Sequence, residues 1–308
     1  MPAIMTVGDI VVEFLSKSIG QNFNEPGFFE GPFPAGSSGI FANQVAKTNS
    51  PIGIFAKVGV DGFADAALRH MSQNGVDLRG VSYSKITNTG SVFVRYLHNG
   101  SRDYIFHYAN SAMGELTPND IDESLLDDCK FLFISGASAF STDSICKSVF
   151  HCVELAKKKD AKIVFDPNVR KELVTPDSKA KWDRLLADTH ILLASEEEVL
   201  AMSGEDTLEA TMLLPQYSHL EIVVLKMGKE GSRLLYEGKD LHFPAYKVEE
   251  VDPTGAGDNW DGAFISSLLK GISIEEAMDF ANKAGAMSVT RRGPSSSFSE
   301  TEIRRMFP

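Results

Sequence analysis

The sequence predicts an α/β fold, a mainly parallel central sheet with helices on both faces and a small β-sheet lid beside it. Three observations carry this expectation. Short apolar runs alternate with helical patterns along most of the 308 residues. Most of those runs are apolar at odd and even positions alike, as strands covered on both faces must be. Two segments, about 9–34 and 88–108, break the alternation. They cannot join a parallel sheet by short crossovers, so they are expected to form the lid. No linker, repeat or low-complexity tract interrupts the chain, which therefore reads as one domain over 1–308.

In chain order, strands are expected at "MTVGDIVVEF" (5–14), "IGIFAKVG" (52–59), "FLFISG" (131–136), "AKIVFDPN" (161–168), "HILLAS" (190–195) and "EIVVLKMG" (221–228). Helical spacing marks 62–75, 142–159, 178–188 and 196–202, with a further helix over 261–269 that Gly271 ends. "SIEE" at 273–276 has the form of a capping box, and Ile274, Ala277, Met278, Ala281 and Ala284 follow on one helical face. In the second exceptional segment, "NTGSVFVRYLHNGSRDYIFHY", the "HNGS" at 98–101 is a hairpin turn.

Composition narrows the function. A net charge of −12 argues against nucleic acid or an anionic membrane as the main partner. Cys129, Cys146 and Cys152 form an odd, sparse set without metal-like spacing, which points to reduced thiols and a cytoplasmic protein. The first residues read as a strand rather than a leader, and no apolar run approaches the ~18 residues of a membrane span. There is no GxxxxGK[ST] and no GxSxG. The seven histidines lack zinc-ligand spacing.

One stretch stands out, "VDPTGAGDNWDGAF" at 251–264. Gly255, Ala256 and Gly257 strip a turn of side chains immediately before Asp258. Free N–H groups at a helix start carry partial positive charge and bind anions. The stretch therefore reads as an anion cradle with an acid at its exit, and phosphate is the leading candidate. Trp260 stands where the last glycine of GxGxxG would be, which disfavours a dinucleotide fold. Other polar groups fall at strand ends, where open α/β sheets bind ligands: Asp9 and Glu13, "DPNVR" (166–170), "SEEE" (195–198) and "KMGKEG" (226–231). Any one of these is weak evidence, because capping acids, turns and solvated helix faces are common.

In "DPTGAGDNWDGAF" and the order of the other landmarks, the chain resembles the ribokinase-like carbohydrate kinases of the PfkB family. Those landmarks are "GD…EF", "PAGSSG" (34–39), "AKVGVDGFA" (56–64), "DPNVR", "SEEE", "KMGKEG" and "ANKAGA" (281–286). The resemblance implies a ribokinase-like fold and ATP-dependent phosphorylation of a sugar hydroxyl beneath a closing lid. It implies Asp258 as catalytic base and the amides of Gly255, Ala256 and Gly257 as an anion hole. Ser195, Lys226, Gly228, Gly231, Thr254 and Asn282 would serve the nucleotide, with Asn282 near the adenine. Asp9, Glu13, Gly36, Arg95 and Arg170 would serve the sugar, and Glu198 would organise Mg2+ through water. A monovalent cation is compatible with this set.

The chain also departs from the family pattern. Ser195 replaces the Asn of Asn-x-x-Glu, Ile40 replaces the Asn of GGxxxN, and Glu13 replaces an Asp. The blocks "GPFPAGSSGIFANQVAK" and "FVRYLHNGSRDYIFHYANSA" look most like the tagatose-kinase-type branch, which implies a ketohexose of the tagatose or fructose type. A 2-keto-3-deoxygluconate or other sugar-acid kinase stays open, because Arg170 could pair with a carboxylate. A non-catalytic sugar- or nucleotide-sensing protein on the same fold is the alternative from another class. Exposed lid-strand edges invite pairing, so a homodimer through the lid is expected.

Overall fold

A computed structural model describes all residues 1–308. From the N-terminus, β1 (Ile4–Val7) is followed by β2 (Val11–Ser16), β3 (Phe29–Ala35), α1 (Ser37–Lys47), β4 (Ile52–Gly59), α2 (Gly62–Asn74) and β5 (Val81–Ser84). The hairpin β6 (Ser91–Tyr96) and β7 (Arg102–His107) precedes β8 (Phe131–Ser135), α3 (Gly136–Ala139) and α4 (Asp143–Lys157). Next come β9 (Lys162–Asp166), α5 (Ser178–Leu186), β10 (Ile191–Ala194), α6 (Glu196–Ser203) and α7 (Leu208–Met212). Finally β11 (Ile222–Lys226), β12 (Ser232–Tyr236) and β13 (Lys239–Phe243) lead into α8 (Ala256–Leu269), α9 (Ile274–Ser288) and α10 (Glu300–Met306).

Nine strands form the central sheet in the order β13-β12-β11-β10-β9-β8-β1-β4-β5. Only β12 runs against its neighbours. Period-two side-chain alternation explains why these strands are apolar throughout. On β9, Ile163 and Phe165 belong to the core beneath α4, α5 and α6, whereas Val164 belongs to the core beneath α1, α2, α8 and α9. The chain leaves β1 for β4 on one side and later returns to β8 on the other. That reversal opens a crevice at the strands' carboxyl ends.

The second sheet has the order β3-β2-β6-β7 and contains the two exceptional segments. One expected strand divides between the sheets. Residues 5–14 break at 8–10, so that β1 pairs with β4 and β8 while β2 pairs with β3 and β6. Burial continues across the break, so hydrophobic pattern alone could not reveal it. α8 begins at Ala256, five residues earlier than the apolar spacing suggests, which makes the cradle the helix's own first turn. The hairpin β12–β13 adds strands that the alternation does not announce. Ser273 caps α9 by accepting from the Glu276 N–H. Cys129, Cys146 and Cys152 are buried and unbonded, and no helix is long and apolar enough to cross a membrane.

α1 and α8 pack closely. A Cβ on Gly262 would stand 2.9 Å from both the Phe41 carbonyl oxygen and the Gln44 Cβ. Gly262→Ala should therefore force the helices apart and lower unfolding free energy by about 1–3 kcal/mol. Urea denaturation measures this, and an unchanged midpoint would mean that the contact has slack.

Candidate active site

Strand and helix ends from across the central sheet converge on one polar cavity of about 250 Å3, roofed by β7. Its centre is the first turn of α8. Gly255 is the N-cap at φ 78°, and a Cβ there would stand 2.6 Å from the Pro294 carbonyl oxygen. Only glycine suits that combination of left-handed backbone and close approach. The N–H groups of Gly255, Gly257 and Asp258 donate to no acceptor within the protein, while that of Ala256 makes a long bond of 3.4 Å to the Pro253 carbonyl. A helix end left open in this way is an anion site.

Asp258 lies within that turn. Its Oδ1 accepts from the Ser37 hydroxyl in a very short bond and from Asn168 Nδ2 at 3.1 Å. Its Oδ2 is left for the cavity. Burial, then the nearby Asp166 carboxylate, push its pKa up to about 7, although Ser37, Arg170 and Lys226 oppose the rise. Asn168 reaches Asp258 because it leaves β9 with a left-handed φ of 41°, which asparagine tolerates better than most residues.

Asp9 also lines the cavity, but its carboxylate is engaged. It accepts from the Ser37 and Ser38 N–H groups at 3.1 and 3.0 Å and from the Tyr108 hydroxyl at 2.9 Å. The N-cap of α1 is Gly36, which has no side chain to cap with, so Asp9 supplies the cap from β1's end. Glu13 is different. It is buried, and its Oε2 has no partner. Burial, then Asp252, raise its pKa to about 8 against the pull of Arg102 and Arg170. Burial thus favours its neutral form, which has a proton to donate.

Most of the residues expected at the site meet here, including Gly36, Arg170, Ser195, Glu198, Lys226 and Thr254. Lys226 also lines a larger adjoining cavity of about 830 Å3, together with Gly228, Gly231 and Asn282. Asn282 is fully bonded. Its Oδ1 accepts from Trp260 Nε1 and the Ser232 hydroxyl, and its Nδ2 donates to the Phe243 and Pro244 carbonyls. It therefore shapes that cavity's wall. Glu198 is likewise engaged, accepting from the N–H groups of Val169 at 2.7 Å and Ser195 at 2.8 Å.

Arg95 is not at the cavity. In the β6–β7 register Arg95 opposes Asp103, and it bonds Asp103 and Asn22 on the outer face of the small sheet. The next pair along, Tyr96 and Arg102, faces inward. Arg102 Nη1 donates to Thr254 Oγ1 and the Tyr96 hydroxyl to Asp252 Oδ2, both at 2.9 Å, which ties this sheet to the cradle. Strand parity, available once the hairpin turn is placed, separates the two arginines. Asp261, farther along α8, is fully buried and paired with Lys226.

Such a cavity, with an anion-binding helix end beside a buried carboxylate, suits an enzyme that transfers an anionic group to a small polar molecule. The sequence profile of the pfkB family carbohydrate kinases matches residues 35–302, and the chain belongs to this family of sugar kinases. It is 27% identical to fructokinase-1 of Oryza sativa subsp. japonica over 321 residues, covering 98% of this chain and 97% of the relative. An E. coli protein with the provisional name Ribokinase II is 38% identical, with a TM-score of 0.93, covering 99% of this chain and 98% of that one. That protein has been crystallised both without ligand and with ATP and Mg2+. A Vibrio cholerae fructokinase bound to fructose, ADP and potassium has the same fold, at 21% identity and a TM-score of 0.86, over 100% of this chain and 99% of that one.

The raised carboxyls set a pH dependence. A carboxyl whose folded pKa is raised contributes stability that is full below its ordinary range and is lost as pH rises through the folded value. For Glu13 that window runs from about 4.5 to about 8. Between those limits Glu13→Gln should lose less unfolding free energy with rising pH than the wild type. Parallel curves in denaturant titrations would show that Glu13 ionises as freely in the fold as in water.

Proposed function

We propose that the chain phosphorylates a hydroxyl of a ketohexose of the fructose or tagatose type with ATP, using Asp258 as general base. One observation carries this reading: the free amides of α8 and the open oxygen of Asp258 meet where the small polar cavity joins the larger one. The sugar then occupies the small cavity and the nucleotide the large one. The plant and bacterial fructokinases and the ATP-bound E. coli neighbour support a sugar and a nucleotide as the two ligands.

In the reaction the sugar hydroxyl gives its proton to Asp258 Oδ2 as its oxygen bonds to the γ-phosphorus. The bond from phosphorus to the bridging oxygen breaks, and its electron pair leaves with ADP. The open amides of Gly255, Gly257 and Asp258 take up charge on the transferring oxygens. Glu13, protonated, donates to a sugar oxygen. The four-stranded sheet acts as a lid inserted in a single domain, with Arg102, Tyr104 and Phe106 excluding water that would otherwise accept the phosphoryl group.

The residues fit a magnesium ion carried in with the nucleotide. No cluster of three acidic, histidine or cysteine side chains is arranged to cage a metal. The Glu198 oxygens already accept backbone bonds, so Glu198 would meet the ion through water. Held there, magnesium would supply positive charge that offsets the charge of the phosphates. Potassium dependence, by analogy with the Vibrio fructokinase, is open to a direct salt-exchange assay.

A second reading, a 2-keto-3-deoxygluconate or other sugar-acid kinase, is favoured by the two arginines of the cavity. Arg170 makes only a 3.4 Å bond to the Val169 carbonyl, Arg102 only the bond to Thr254, and both guanidinium groups lie about 6 Å from the Tyr104 ring centre. Their spare donors match a substrate carboxylate. ATP consumption with ketohexoses, pentoses and 2-keto sugar acids separates the readings, and consumption with none of them would favour a sensing role. On the sugar so identified, Asp258→Asn should lower kcat by about 10²–10⁴-fold with little change in nucleotide affinity. Near wild-type turnover would remove Asp258 as the base.

The lid's outer face supports a homodimer. Phe14 stacks on Phe93, whose ring meets Phe29 edge to face, next to Phe63 and Phe23, with Phe28 80% exposed. A second copy would cover this apolar surface and the open edges of β3 and β7. Light scattering should find a dimer that Phe93→Asp converts to monomer. A monomeric wild type at micromolar concentration would exclude the lid interface.

A further inference from the structure

We propose that Lys226 is a catalytic residue: its ammonium, clamped by Asp166 and Asp261 where the two cavities meet, contacts the phosphoryl group as it crosses from nucleotide to sugar. The proposal rests on the kinase reading above and adds a protein cation beside the amides, the base and the magnesium ion.

Lys226 ends β11, and its Nζ donates to Asp166 Oδ2 at 3.0 Å and to both Asp261 oxygens at 3.1 Å. The two carboxylates are 3% and 0% exposed, so neither is a surface partner. Burying such a trio costs several kcal/mol in desolvation, which packing alone would not favour. An ammonium has three protons. One oxygen of Asp166 and both oxygens of Asp261 lie within reach of them, so a phosphoryl oxygen would take the place of the second Asp261 oxygen at one proton. The lysine side chain keeps 16% exposure and lines both cavities. Toward the cradle, a Cβ on Gly257 would stand 3.5 Å from Nζ, and glycine keeps that approach clear. The ammonium therefore has a ligand-sized space on each side and the open amides of α8 nearby.

The chemistry fits a fixed charge. As phosphorus changes partners, the bond from the sugar oxygen forms and the bond to ADP breaks. The electron pair goes to ADP and the proton to Asp258. Lys226 gives up no proton and acts by charge alone. Burial opposes that charge, but Asp166 and Asp261 outweigh it and hold the ammonium above its ordinary pKa. A cation already held by two carboxylates needs no reorganisation when negative charge develops. Asp166 and Asp261 are thus positioning residues, tying β9 and α8 to the lysine at β11.

Lys226→Gln removes the charge but keeps an amide that can donate to Asp166 and Asp261. Calorimetry with Mg-ATP and Mg-ADP, together with sugar kinetics, tests the proposal. The expected result is a kcat lower by about 10–100-fold, the range for a hydrogen bond to a charged group. ATP affinity should fall more than ADP affinity, because ADP lacks the group contacted, and the sugar KM should stay near wild type. An equal loss for both nucleotides, or kcat within about twofold of wild type, would make Lys226 a structural tie and overturn the proposal. A wild type that binds neither nucleotide would instead overturn the kinase reading itself. If Lys226→Gln does not fold, Asp261→Asn decides. Loosening the clamp while the ammonium remains should lower kcat and narrow the preference for ATP over ADP, and a variant with both unchanged would reject the clamp.

Discussion

The contact between α1 and α8 is the constraint on which the cavity depends, because it brings two helix N-termini to one point. Each terminus offers unpaired N–H groups, yet the two are treated differently. Asp9 closes the end of α1 by accepting from Ser37 and Ser38. The end of α8 stays open, and its neighbour Asp258 is held by Ser37 from the closed end. One helix supplies a bonded frame and the other an anion site. A change in spacing between them would move Asp258 relative to the amides.

The second organising feature is a concentration of buried charge. Glu13, Asp258, Asp166 and Asp261 share the region with Lys226, Arg102 and Arg170. Low dielectric makes every uncompensated charge expensive there. The protein answers in two ways. Asp166 and Asp261 receive Lys226, although burial still pushes Asp261 well above the usual carboxylate range. Glu13 and Asp258 lack a direct cation and shift toward their neutral forms. Glu13 and Asp258 face the small cavity, where a ligand can supply the missing partners.

The small sheet links the ligand space to the cradle. Its inner face carries Glu13, Arg102 and Tyr104, while its outer face gathers phenylalanines and the Arg95–Asp103 pair. Because alternate residues on a strand point to opposite faces, one sequence segment can serve a polar cavity and an apolar surface together. The Tyr96–Asp252 and Arg102–Thr254 bonds then connect lid position to the loop that enters α8.

The sequence by itself determined the class of sheet, the lid segments, the cradle glycines and the caps, since each follows from local sterics, turn chemistry or burial period. It also marked most of the residues that meet in the cavity, because ligand-binding positions in such sheets lie at strand ends. Only the tertiary structure decided who pairs with whom. The bond from Ser37 to Asp258 spans 221 residues, and that from Lys226 to Asp166 spans 60. The same holds for the diversion of Asp9 into a helix cap, the placing of Arg102 rather than Arg95 at the cavity, and the break at 8–10 inside one continuous apolar run. Local pattern sets backbone conformation and which face is buried. Which two buried polar groups meet depends on sheet order, strand register and helix packing, and no short stretch of sequence contains these.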